Sequence, residues 1–296
     1  MLLKLKSSVS VSLTIALLLF AVAIPAVFAD QAATAPLTTS ATTGPYLIAY
    51  KFVAGRSLKY STAMDMQMQT NALAQAAPNN IHMDMAMTQT VESIDPTSGA
   101  ATQQTEANYV DESMNGQPLP TTMLNSSMSK SFTTVIAPNG QMLSMTSPPG
   151  QPQVPGFSMN SFIGVTFLPK TPVNVGDTWT ASMPMASVGI ALNMVMALQS
   201  VENVNGHTVA VIASHFTSVP ITPTAGTAVP MMKITAVTGD GITDFDLTSG
   251  EIVRNAATTT DDMSMALPNA QAVQAKSMNM HMAMKMTMTL VPQAGN

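Results

Sequence analysis

Residues 277–291 read SMNMHMAMKMTMTLV, with methionine at Met278, Met280, Met282, Met284, Met286 and Met288 and mostly polar or small residues between them. A period of two sends alternate side chains to opposite faces of an extended strand. Wound as a helix, the same residues would scatter their thioethers around the circumference and leave no apolar stripe. The stretch therefore reads as a long strand with a methionine face. Similar phrases recur upstream: Met64, Met66 and Met68; Met83, Met85 and Met87; Met183 and Met185; Met194 and Met196; Met263 and Met265. The predicted fold is all-β and mainly antiparallel, with two related halves forming strongly curved sheets or a half-barrel and few or no long helices.

At the other end of the chain, Lys4 and Lys6 precede an apolar run that closes on Pro25-Ala26-Val27-Phe28-Ala29. A basic start, an apolar centre and small residues before a cut describe a secretory signal peptide over 1–29. The expected location is the periplasm, the exterior or the cell envelope. Residues 30–45 are small, polar and proline-punctuated, the composition of a flexible leader. No later stretch is apolar for long enough to predict a membrane-spanning helix. Charged residues are only 9% of the chain, which carries a net charge of −5 and no basic cluster, so nucleic acid is not an expected partner. With no cysteine there is neither a disulfide framework nor a thiolate metal site.

Landmarks recur in order along the remainder. Gly176-Asp177-Thr178-Trp179 stands where Gly55-Arg56-Ser57-Leu58 stood, and Val201-Glu202-Asn203-Val204 matches Val91-Glu92-Ser93-Ile94. Thr248-Ser249-Gly250 likewise answers Pro138-Asn139-Gly140, each a turn between short apolar runs. These matches predict a diverged duplication, with a first β repeat over 46–156 and a second over 157–296. Structure is expected to begin with two short β-type runs around Ala54-Gly55. Asp95-Pro96-Thr97-Ser98-Gly99 reads as a turn, and residues 157–168 as a buried helix or a strand. Asp244 and Asp246 are expected to share a solvated strand face, with Phe245 on the other.

Three readings of the methionines are open. They can fill a sheet core, since methionine is unbranched and adaptable. They can line an apolar groove for a lipid or other hydrophobic ligand. They can bind Cu(I), because thioethers select that ion and the chain has no thiolate to offer. His82 and His281 alternate with their strands' methionines and so fall on the opposite face, away from any thioether set. His207 and His215 belong to no paired-ligand motif, and no nucleophile elbow, phosphate loop or dinucleotide fingerprint occurs. Trp179 reads as a core anchor.

Through Val175-Gly176-Asp177-Thr178-Trp179 and the more degenerate Ala54-Gly55-Arg56-Ser57-Leu58-Lys59-Tyr60, the chain resembles uncharacterised bacterial secreted β-proteins whose repeats open on G-D-x-W/Y. It is more distantly similar to the periplasmic lipoprotein-carrier superfamily. That resemblance implies an open, curved antiparallel half-barrel holding acyl chains, and carries over no functional residue. The expected protein is a non-enzymatic binder with no cofactor, whose ligand lies against Met64, Met66, Met68, Met83, Met85, Met87, Met194, Met196, Met278, Met280, Met282, Met284, Met286 and Met288. The alternatives are a periplasmic protein that binds Cu(I) through methionine and a structural cell-envelope module with a methionine-rich core.

Overall fold

Alternation of apolar and polar residues decides which side of each long strand is covered. A computed structural model of the chain describes residues 44–70, 78–118, 131–146, 167–185, 189–222, 232–266 and 277–292. The expected signal peptide, nearly all of the expected leader, the boundary between the expected repeats and most of the 157–168 segment lie outside the described residues. Twelve strands are described: β1 (Ser57–Thr70), β2 (Asn79–Ile94), β3 (Ala101–Met114), β4 (Gln117–Pro118), β5 (Ser131–Ile136), β6 (Met142–Thr146), β7 (Thr178–Met185), β8 (Ile190–Val204), β9 (His207–Pro220), β10 (Met232–Asp246), β11 (Glu251–Ala266) and β12 (Ser277–Leu290). Among the described residues there is no helix.

All twelve belong to one antiparallel sheet, in the order β6-β5-β3-β2-β1-β12-β11-β10-β9-β8-β7, with β4 attached to β3. Chain order is kept around the sheet except at its centre, where the first long strand pairs with the last along Met64↔Met286, Met66↔Met284 and Met68↔Met282. This is the connectivity of an up-and-down barrel that has been left open between β6 and β7. The sheet curls far enough to bring its edges into one core: Met142 and Met145 of β6 join the same buried cluster as Met183 and Met185 of β7. Register shifts near Met85, Ser93, Ser200 and Phe245 add the extra residues that let long strands bend.

The concave face is the methionine face. Met64, Met83, Met282, Met284 and Met286 are each at most 5% exposed, and burying such a side chain contributes about 1.5–3 kcal/mol. The convex face carries Asp65, Gln67, His82, Asp84, His281 and Lys285, which are half-buried or exposed. A barrel that faces lipid has the opposite polarity, apolar outside and polar within.

Two local expectations are corrected. Residues 46–53 form no strand pair; one isolated bridge, Tyr46↔Val173, is all the ladder they make. They run instead as a strap across the end of the barrel, bonded to Pro138 and Gly250 in the turns there. Asp246 is buried at 3% exposure rather than solvated, because a register shift between Asp244 and Phe245 turns consecutive residues inward. In that position it caps the β10–β11 turn, accepting from the Thr248 amide at 2.7 Å and the Ser249 hydroxyl at 2.8 Å. The Asp95–Gly99 turn forms where expected and has the same design, with the Thr97 and Ser98 amides donating to Asp95 at 2.9 and 2.7 Å. The Pro138-Asn139-Gly140 turn joins β5 to β6 as expected.

Candidate ligand-binding cavity

The strap is the lid of the one end of the barrel at which the β2–β3, β5–β6 and β10–β11 turns meet. Its backbone is held by Tyr50 N–H to Pro138 O at 2.8 Å and Lys51 N–H to Gly250 O at 3.3 Å. The Lys51 ammonium donates to the Leu247 and Thr248 carbonyls at 2.8 and 3.0 Å. Ile48 is fully buried beneath it. The Tyr50 ring stacks on Phe52 with centroids 5.5 Å apart and meets Phe245 edge-on at the same distance. These contacts fix the aromatic underside of the strap against the sheet.

Under the strap lies a cavity of about 190 Å³. Its apolar wall comes from Met87, Met194, Met196 and Met288 of the expected ligand set, joined by Met142, Met145, Phe132 and Ile212. The other ten expected residues do not line it. Met64, Met66, Met68, Met83, Met85, Met280, Met282, Met284 and Met286 are packed in the buried core, and Met278 lies partly buried at its margin. Sequence alternation identified the concave face; it could not tell the part that closes on itself from the part that leaves space.

What the cavity adds to the thioethers is a band of inward polar groups on neighbouring strands. Gln103 and Thr105 of β3, Thr134 of β5, Thr243 of β10 and Asn255 of β11 are all buried and all line it. Asn255 is 2% exposed. Its amide nitrogen donates to the Thr243 hydroxyl at 3.4 Å, while its carbonyl oxygen Oδ1 has no partner. At the rim, Arg56 forms a forked pair with Glu251, Nη1 to Oε1 at 2.6 Å and Nη2 to Oε2 at 3.0 Å. Burial pushes the Glu251 carboxyl up and Arg56 draws it down, leaving it above the usual carboxylate range. Tyr60, 4% exposed on the same wall, has its phenol raised by burial. The site is thus a methionine-walled pocket with a band of polar groups, one of them an unpaired acceptor, and a charged rim.

A second group of buried polar atoms lies deeper in the core. Asp261 is 2% exposed and neither carboxylate oxygen has a partner; Thr259, two residues earlier on the same face, has an unpartnered hydroxyl. Burial pushes the Asp261 carboxyl up to about 7, with the neighbouring Asp262 raising it further and His281 opposing. The signal for this residue was in the sequence. Asp261 has the parity of Met263 and Met265, so a strand with its methionines inward must also bury that carboxyl.

The four histidines take no part in either site. Each lies 2.7 Å from an aspartate: His82 from Asp65, His207 from Asp246, His215 from Asp240 and His281 from Asp262. Trp179 anchors the start of β7, its indole N–H donating to the Phe167 carbonyl at 3.1 Å.

No protein-family model and no curated protein matches the chain. Among solved structures it aligns with a DUF1329 family protein from Desulfovibrio piger, at 9% identity over 78% of this chain and 84% of that one, with a TM-score of 0.13. It also aligns with a domain assigned to outer membrane lipoprotein sorting from Vibrio parahaemolyticus, at 8% identity over 80% of this chain and 86% of that one, again with a TM-score of 0.13. Superpositions of that quality carry no argument about fold or function.

Proposed function

We propose that this is a non-enzymatic binding protein of the bacterial cell envelope, exported by the segment at 1–29, which holds a hydrophobic ligand in the cavity under the strap. The observation that supports this reading most directly is the methionine-walled cavity itself, with the unpaired Asn255 Oδ1 in its polar band. Leaving a buried acceptor without a donor costs about 1–3 kcal/mol, and a ligand that is apolar with one hydroxyl, amide or protonated acid group would satisfy it. Size sets the class. An apolar cavity of about 150 Å³ suffices for an aromatic ring, so the resting space accepts a ring or a short acyl segment. Longer chains need the wall to yield, which unbranched methionines with three rotatable bonds allow. The core reading of the methionines and the groove reading then describe different zones of one face.

Filling the cavity tests the proposal. Ile212→Phe places an aromatic ring in the space from a position that is already apolar and 4% exposed. Displacement of an environment-sensitive apolar dye is the readout. The variant is expected to keep its β-sheet circular dichroism and to lose dye affinity at least tenfold. Equal affinity in both proteins, or no dye uptake by the unsubstituted one, would overturn the assignment.

A further inference from the structure

The buried carboxyl of β11 sits outside the cavity and asks for a different occupant. Asp261 pairs directly with Met282 of β12 on one side and with Val237 of β10 on the other. Met263 follows two residues along the same face and pairs with Met280, while Thr259 precedes and pairs with Met284. Directly opposed side chains on a sheet have Cβ atoms about 4.5–5.5 Å apart, and diagonal ones stay within reach of long side chains. These register positions place Met263, Met280, Met282 and Met284 on the same face as Asp261, one directly opposite it and the others next to it along or across the strands. All four residues are at most 5% exposed, and Met282 is fully buried.

An ionised carboxylate in such surroundings needs a counter-charge. No lysine or arginine supplies one: Asp261 has no partner at either oxygen. A hard divalent ion is a poor fit, since it asks for six or more oxygens, and no three His, Cys, Asp or Glu residues group together among the described residues. Thioethers are soft donors that select Cu(I). One such ion beside one carboxylate leaves a site with no net charge, the state that a dry interior favours. We propose that Asp261 and the methionines around it, Met282 and Met263 with Met280 or Met284, form a binding site for a soft monovalent cation, Cu(I). The site is separate from the cavity under the strap and stands or falls independently of it.

Anaerobic titration of the full chain with Cu(I) against a competing chelator tests this, with stoichiometry read by native mass spectrometry and ligand atoms by X-ray absorption. One ion per chain, in a sulfur-dominated shell, is expected. Asp261→Asn keeps the shape and removes the charge; Met282→Leu keeps the volume and removes the sulfur. Each is expected to lower Cu(I) affinity at least tenfold with an unchanged circular dichroism spectrum, while Met85→Leu on β2, a core methionine that lines neither site, leaves it as it was. No retention against the chelator, equal retention by Asp261→Asn and Met282→Leu, or a nitrogen-dominated shell from the surface histidines would each overturn the site.

Discussion

Asp261 shows how much one inward residue can weigh. Its neighbours across the sheet, Met282 and Val237, are uncharged, and the charges that reach it are Asp262 and His281 on the outer side. Because burial raises its pKa to about 7, the metal-free folded chain holds a proton that the unfolded chain releases at ordinary carboxylate pH. Stability from this group is therefore greatest below about pH 4 and is lost as pH rises toward 7, a decline on the order of 4 kcal/mol. Urea unfolding of metal-free protein between pH 4 and 8 should show that slope, and Asp261→Asn should flatten it; a variant with the same slope as its parent would remove Asp261 as the cause. The reading of residues 277–291 gave every inward methionine of β12 because parity alone sets the face. The same parity rule reaches Asp261, but a polar residue among polar neighbours in TTTDDMSM gives no apolar contrast to notice.

At the level of elements, long strands and tight turns were legible and the strap was not. The run YLIAYKF has the composition of a strand, yet its backbone bonds go to turn carbonyls on the barrel's end. Nothing local distinguishes an apolar segment that adds to a sheet from one that lies across it; only the closed end of the barrel decides. Gly250 is the contact that makes the crossing close. It has φ +71°, and an added Cβ would stand 2.4 Å from the Lys51 backbone nitrogen. Gly250→Ala should thus lift the strap as well as strain the turn, lowering the melting temperature by several degrees and speeding amide hydrogen exchange at Tyr50 and Lys51. A variant whose exchange at those amides is unchanged would contradict the strap's dependence on this glycine. The entries to β1 and β7 also share a hydrogen-bond pattern. Gly55 N–H reaches Val91 O and Val91 N–H returns to Arg56 O, both within 2.9 Å; Gly176 N–H reaches Leu198 O at 2.8 Å and Leu198 N–H returns to Asp177 O at 3.1 Å. The shared geometry supports the proposal that the chain is a tandem duplication, with β7 answering β1 and β8 answering β2, but it sets Leu198 rather than Val201 opposite Val91 in the comparison.

Across the whole molecule, the pairing of β1 with β12 is what makes a methionine face into an interior. A flat sheet with one such face would expose it; a meander whose ends meet curls the face inward and leaves the polar face outside. The sequence carried the face, the antiparallel order and the curvature, since strands of this length must coil. It did not carry the open seam between β6 and β7 or the place where packing fails to fill the barrel, because both depend on strands distant in the chain. That unfilled place is where the proposed ligand would sit. Native mass spectrometry of the protein purified from its own host addresses it directly, with Ile212→Phe prepared in parallel. A co-purified apolar mass is expected on the unsubstituted protein, released by organic solvent and absent from the variant. A bare protein in both preparations that also fails to take up an apolar ligand added in excess would contradict the ligand site, and would leave the methionines as core alone.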